Sequence, residues 1–241
     1  MNDTPLSDPA AGGQADPANP FGSLSLEPVT TVDRVAEELR RSLFEGELGP
    51  GTPLREMALA DALNVSRSTV REALGYLVAE GLADRVPNRG TQVRRLDREQ
   101  VRDVCRARAV IETAGVRNWT EATDSDRDEV RRALAAYSDL RHSECTTAEF
   151  TAAHLEIHRA LAGLTGSARL VSFVEVLHAE VRLALAQVDR ARGNAAEQVH
   201  SHSHLLDLME GGDLEAAAKE LAEHLAEAEA SMVEEVGRRE A

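Results

Sequence analysis

Hydrophobic and polar positions along this 241-residue chain fall into two regimes. From Thr30 to about Arg95, short periodic segments alternate with glycine- and proline-rich breaks. Beyond Asp97, long segments of helical period follow one another with short interruptions. In the first regime Val32, Val35, Ala36, Leu39, Leu43 and Phe44 predict a helix, with Thr30 and Asp33 placed like a capping box. Gly46, Gly49, Pro50 and Gly51 break it. A second helix is expected over about 55–63, with Leu59 and Ala62 on its inner side, and Asn64-Val65 makes a turn. Ser66 reads as the N-cap of a third helix, about 67–80, whose Val70, Ala73, Leu74 and Leu77 share one face. Gly81 ends it. Strand-like runs at 82–86 and 91–95 around Pro87-Asn88-Arg89-Gly90 predict a hairpin.

The second regime reads as six helices, about 98–120, 126–142, 147–163, 167–192, 195–210 and 213–237. Alanine is abundant and aromatic content is 3%, so the core is built from Leu, Val and Ala, and short loops imply an antiparallel bundle. Residues 1–28 show no hydrophobic period and are rich in Pro, Gly, Ala and Asp, as expected of a disordered tail. The expected architecture is mainly α: a tail over 1–28, a winged helix-turn-helix over 29–95, and an all-helical part over 96–241.

Charge sharpens this division. The net charge is −15, which looks unfavourable for contact with nucleic acid. The tail carries four acids and no base, however, and 29–95 balances ten arginines against ten acids, so most of the negative charge lies in the bundle. Arg67, Arg71, Arg85, Arg89, Arg94 and Arg95 gather toward the end of the neutral segment. A local basic face can hold phosphate while the remainder stays acidic. No apolar run is long enough to span a bilayer, and the N-terminus lacks the pattern of a secretory signal. Cys105 and Cys145 lack metal-ligand or redox spacing and read as reduced thiols in a cytoplasm.

The third helix carries the first candidate chemistry. Its tip presents Arg67, Ser68, Thr69 and Arg71 outward beside Ser66. Short hydroxyls and guanidinium forks there suit phosphate oxygens and guanine edges. The same stretch also describes an ordinary amphipathic helix with a polar start, and the hairpin could merely cover a core. Its basic tip, Arg89 with Gly90, argues for a wing laid on a groove.

This region resembles the GntR family of bacterial transcription regulators. The match runs through Gly46-Glu47-Leu48-Gly49-Pro50-Gly51-Thr52-Pro53-Leu54, the run from Leu59 to Leu74, Glu80-Gly81-Leu82 and Arg89-Gly90. The resemblance implies that Ser66, Arg67, Ser68, Thr69 and Arg71 approach DNA, together with Arg89 and Gly90; Arg55 could add a phosphate contact. Ser68-Thr69 stands where many relatives have Thr-Pro.

All eight histidines lie beyond residue 141. His154 and His158, four apart, share a helix face with Phe150 and Leu161. His202 and His224 each lie eleven residues from Asp213, so a tight turn at Gly211-Gly212-Asp213 brings them level, about 16 Å from the turn. His202 shares a face with Leu205, Leu206 and Met209, and His224 with Leu221 and Ala228. Four inward imidazoles are costly to bury without partners, and a divalent metal would serve all four. The alternative is that each bonds separately to water, backbone or a carboxylate. His200 and His204 sit off that level and read as solvated; His142 and His178 have no assigned role. No inward Glu or Asp is evident beside the four.

The bundle also resembles the FCD ligand-binding domain of the FadR subfamily, through Arg108-Ala109-Val110-Ile111-Glu112, Ile157-His158-Arg159-Ala160-Leu161, the run from His202 to Asp213, and Ala222-Glu223-His224-Leu225. Six helices rather than seven place it with the VanR-like members. The resemblance implies a metal held by an aspartate and three histidines, which correspond here to His154 in the aspartate's place, then His158, His202 and His224. An all-nitrogen set favours zinc, nickel or copper over magnesium, calcium or manganese, with zinc first. Ser167 stands where relatives often have asparagine. Arg108 shares a stripe with Val101, Val104 and Ile111 and faces inward. It either holds the carboxylate of a small effector or pairs with Glu112 one turn on.

The expectation is therefore a cytoplasmic, homodimeric regulator, a repressor that binds an inverted-repeat operator in double-stranded DNA and releases it when a small organic acid binds at the metal site. No membrane partner and no catalysis are expected. A metal sensor and a histidine-site metalloenzyme are the alternatives, the latter weakened by the absence of a general base.

Overall fold

The computed structural model describes residues 30–140, 144–188 and 195–240, so the expected tail over 1–28 and His142 lie outside the described residues. Nine helices and three short strands are described: α1 Thr31–Phe44, β1 Pro53–Leu54, α2 Glu56–Leu63, α3 Arg67–Ala79, β2 Ala83–Val86, β3 Gly90–Val93, α4 Arg98–Arg117, α5 Asp124–Leu140, α6 Thr147–Gly163, α7 Ala168–Val188, α8 Ala195–Glu210 and α9 Leu214–Glu240.

The N-terminal part closes on the residues that its periodicity selects. Val35, Ala36, Leu39, Leu43 and Phe44 of α1 pack with Val70, Ala73, Leu74 and Leu77 of α3. The turn between α2 and α3 is set by Asn64, whose φ of 53° is left-handed backbone that asparagine tolerates, and whose N–H donates to the Ala60 carbonyl. Ser66 then caps α3, its Oγ accepting from the Thr69 N–H at 3.1 Å. On α2 the buried residue is Ala60, with Leu59 half-buried; Ala62, expected inside, is exposed. With only eight residues, α2 presents little more than two turns, and a one-step error in phase is easily made there.

The hairpin pairs β2 with β3 antiparallel, from Ala83 opposite Val93 to Val86 opposite Gly90. The unforeseen β1 lies on the other edge of β3, Pro53 opposite Gln92 and Leu54 opposite Thr91. Two residues carry no detectable period, so this strand exists because β3 offers it an edge.

The C-terminal part begins at a capping box, Asp97 with Gln100, and a second one, Thr146 with Glu149, opens α6. Val116, Trp119, Tyr137, Leu161, Leu164, Met209 and Leu221 form its main cluster, and Val101, Leu155, Leu177, Val181 and Met232 form a second. Cys105, free and buried, packs in the second, where burial pushes its thiol up to about 11. The two parts of the chain interlock: Leu183 of α7 belongs to the N-terminal cluster, and Arg94 reaches Glu180 of α7 at 2.7 Å. No described helix is long and apolar enough to cross a membrane.

One glycine sets the spacing on which the site depends. A Cβ at Gly115 of α4 would stand 1.9 Å from the Leu161 carbonyl oxygen of α6, so the helix backbones touch there. Gly115→Ala is expected to cost at least ~1–3 kcal/mol by forcing α4 and α6 apart. Gly163→Ala, which meets nothing within 4 Å, should cost nothing. Urea denaturation of the two variants provides the comparison.

Candidate functional site

Two constellations stand out, one in each part of the chain. At the first, the tip of α3 projects from the N-terminal part. Ser66, Arg67, Ser68 and Arg71 are exposed and Thr69 is half-buried. The Ser66 hydroxyl bonds to those of Ser68 and Thr69 at 2.7 and 2.8 Å, which pre-positions three hydroxyls at the helix start. Arg71 forms a two-toothed pair with Glu56 of α2 at 2.9 and 2.6 Å, and Arg67 lies 3.8 Å from the same carboxylate. Glu56 therefore orients Arg71 while both guanidinium groups stay largely exposed. Arg55, just before α2, is exposed and makes no capping bond. Arg89 and Gly90 are exposed at the hairpin tip, where Asn88 (φ 62°) and Gly90 (φ 88°) turn the chain.

At the second constellation, deep in the bundle, α6 contributes His154 and His158, α8 His202 and α9 His224. Their ligand nitrogens all lie within 4.8 Å of one another. The Nε2 atoms of His154, His158 and His202 converge pairwise at 3.1, 3.2 and 3.3 Å. A nitrogen of a neutral imidazole carries either a proton or a lone pair, so three meeting in a triangle cannot all be satisfied by one another. Nitrogens bound at ~2.0–2.1 Å to the corners of a tetrahedral zinc site stand roughly 3.3 Å apart, and the three contacts match that spacing. The donor set thus fits a divalent transition metal. His202 and His224 meet across the α8–α9 turn with ring centres 4.6 Å apart, as their equal distance from Asp213 requires of antiparallel helices. Fully buried Tyr137 closes one side, its ring 5.4 Å from that of His154 and 6.0 Å from that of His202.

The expectation that no acid faces the histidines is wrong. Glu112 of α4 is completely buried among them. It accepts from His158 Nδ1 at 2.7 Å and from Arg108 Nε at 2.8 Å, with His178 Nε2 at 3.4 Å. Its bond to His158 puts the proton on Nδ1 and turns the Nε2 lone pair toward the centre, the usual way a carboxylate supports a metal-binding histidine. The signal was available: Glu112 follows inward Arg108 by four residues and Ile111 by one. His178 was equally legible, between buried Val174, Leu177 and Val181. Of the two readings of Arg108, the pairing with Glu112 is present, and it leaves part of the guanidinium unused. Arg108 pairs with Glu112 through Nε, while its second terminal nitrogen is buried with no hydrogen-bond partner. His200 is exposed, and His204 is exposed beside Glu220 at 3.3 Å.

Electrostatics keep the centre neutral and its support charged. Burial is the largest influence on the histidines, pushing His158 down to about 3 and His224 to about 2, and holding His154 and His178 below their ordinary range. For Glu112 burial favours the protonated form, but Arg108 and His158 outweigh it and hold the carboxyl well below its usual value. Lone pairs are therefore available at neutral pH. A stability consequence follows. Unfolded histidines take up protons near 6.5, whereas folded His158 and His224 do not until about 3 and about 2. The unfolded state binds more protons between those limits, so this contribution is present above pH 6.5 and is lost as the solution is acidified. Chelator-treated protein should show a falling urea midpoint from pH 7 to pH 5; an unchanged midpoint would contradict the burial of these rings.

Comparison with known proteins identifies the two parts of the chain. Residues 31–93 match the family described as "Bacterial regulatory proteins, gntR family", and residues 103–227 match the FCD domain. The chain is 30% identical over 206 residues to the "Probable D-xylose utilization operon transcriptional repressor" of Paenarthrobacter nicotinovorans, covering 85% of this chain and 89% of that one. It is 38% identical over 93 residues to the HTH-type transcriptional repressor RspR of Escherichia coli K12, covering 38% and 41% of the two chains. The solved transcriptional regulator GntR of Rhodococcus sp. RHA1 superposes with a TM-score of 0.71 at 30% identity, over 84% of this chain and 97% of that one. These relatives are regulators rather than enzymes, which removes the metalloenzyme alternative. The chain therefore belongs to the GntR family, and is a DNA-binding transcriptional regulator whose helix-turn-helix unit is joined to an FCD domain.

Proposed function

We propose that this regulator is a cytoplasmic homodimeric repressor, and that a small organic acid bound beside the histidine centre releases it from an inverted-repeat operator. The observation that carries this reading is the buried, unpartnered nitrogen of Arg108 next to four converging imidazoles. A buried guanidinium donor wants an oxyanion, and a carboxylate is the planar one that matches it. His154, His158, His202 and His224 would hold the divalent ion, zinc before nickel, and Glu112 would orient His158. The bound ion supplies positive charge that complements the effector's carboxylate. Repressors among the relatives support the direction of control. Two free cysteines suit a reducing cytoplasm.

On the DNA side, Arg67, Arg71 and the hydroxyls of Ser66, Ser68 and Thr69 would enter the major groove, with Arg55 and the wing residues Arg89 and Gly90 on the flanking backbone. Two such units one helical turn apart read an inverted repeat. For the second copy we assign the α7 stripe of Leu170, Phe173 and Val176, which is exposed at three-residue spacing. Sedimentation velocity should find the wild-type chain dimeric and Phe173→Glu monomeric.

A second reading has its own support. Four nitrogens can fill a tetrahedral shell completely, leaving no position for an effector and making the ion itself the signal. Fluorescence anisotropy of an operator fragment separates the two. The effector reading expects zinc-loaded protein to bind DNA and a matching carboxylate to release it, with release abolished in Arg108→Met. The sensor reading expects zinc alone to change operator affinity, indifferent to Arg108. In either case Arg67→Ala should weaken specific binding by about 1–3 kcal/mol; unchanged affinity would defeat the assignment of the α3 tip.

A further inference from the structure

Arg182 of α7 lies in the seam between the DNA-binding part and the bundle. Its guanidinium carbon sits 3.6 Å from the centre of the Phe44 ring at the end of α1. At that separation the group lies against the ring face and its N–H donors project sideways around the rim. Its Nε is buried and has no hydrogen-bond partner. Burial weighs against its charge, opposed by the field of Glu37. The neighbouring cations are already served. Arg40 is held by Glu80 at 2.6 and 2.7 Å and by Glu37 at 2.8 Å, and Arg159 is held by Glu156 and Glu129. No carboxylate pairs with Arg182 among the described residues.

Space is available beside this cation. A cavity of about 520 Å³ shares Arg182 and Phe44 in its wall, with Leu82 from the DNA-binding part and Leu155, Val176 and Ala179 from the bundle. A smaller one of about 220 Å³ includes the same two residues, with Thr147 and Thr151 of α6. The larger is the size of an ordinary small-molecule site and stands at a boundary between parts of a chain, where such sites concentrate. Its wall is mixed: the apolar residues stand beside Glu175 and the mutually paired Arg40–Glu80 and Arg159–Glu156. The charges other than Arg182 therefore largely offset one another, and Arg182 is the lining arginine left without a carboxylate among the described residues.

We propose that this seam is a second ligand site, distinct from the histidine centre, for a small organic anion whose apolar body lies between the two parts and whose carboxylate or phosphate is held by Arg182. An occupant there touches α1 and the residues after α3 on one side and α6 and α7 on the other. It therefore favours whichever placement of the DNA-binding part fits it best, and shifts operator affinity accordingly. His178 also lines the cavity and contacts Glu112, so the two sites share a wall. The proposal does not depend on a metal.

The test uses the full chain, stripped of metal by a chelator, with Leu and Val methyl groups isotopically labelled. Benzoate is titrated as an anion with an apolar body, phenyl phosphate as its phosphate counterpart and inorganic phosphate as an anion without one. Expected are saturable methyl shifts at Leu82, Leu155 and Val176 with benzoate or phenyl phosphate, the stronger of the two naming the head group, and at least tenfold weaker binding of inorganic phosphate. Arg182→Met should weaken benzoate and phenyl phosphate at least tenfold. Ser172→Trp, a change at an exposed position on the cavity wall, should do the same by filling the space, and stands in if Arg182→Met does not fold. The proposal is overturned by the absence of saturable shifts, by shifts at Leu205 and Leu221 beside the histidines instead, by equal binding of inorganic phosphate, or by affinities that neither substitution changes.

Discussion

A carboxylate with no access to water governs this molecule. Glu112 would take up a proton if left alone in its position, because an isolated buried charge is far too costly to keep. Arg108, His158 and His178 prevent this, and they come from three helices, α4, α6 and α7. Removing two charges from water costs several kcal/mol per ion, so the Arg108–Glu112 pair is no simple source of stability. Its effect is geometric. The pair, which lies within α4, holds Glu112 ionised; the Glu112–His158 bond then joins α4 to α6, the close contact at Gly115 permits that approach, and His158 is left with its outer nitrogen toward the other imidazoles.

The same contact is connected to the N-terminal part through α7. His178 touches Glu112, Glu180 bonds to Arg94 behind the wing, and Arg182 stacks on Phe44. These three residues span about 6 Å along one helix, less than the rise of a turn and a half. If α7 shifts as a body, a displacement at His178 would be carried to the partners of Glu180 and Arg182. Leu183, seated in the core of the N-terminal part, makes the connection apolar as well as ionic. Coupling between the proposed ligand site and the DNA-binding part would need an element with contacts in both, and α7 has such contacts with Glu112 and with the N-terminal core.

Charge is distributed to match. The acidic bundle disfavours contact with phosphate outside the DNA-binding part, while Glu56 holds Arg71 without hiding it. Part of the α3 surface proposed to meet DNA is thus organised in advance, with three hydroxyls already bonded to one another at its start.

Local pattern determined the elements. The N-cap at Ser66, the breaks at glycine, the six bundle helices and the meeting of His202 with His224 all follow from spacing along the chain, because helical period and turn chemistry are short-range properties. Tertiary structure decided what spacing does not encode. The two-residue β1 depends on an edge that β3 supplies much later in the chain, Gln92 opposite Pro53 and Thr91 opposite Leu54, and the phase of short α2 is set by what packs against it rather than by its own sequence. The role of Glu112 was hidden for a related reason: helical position shows that a side chain turns inward, but not which side chains arrive from the other helices. Burial converts that meeting into chemistry, since only where water is excluded must Glu112, Arg108 and the histidines find one another.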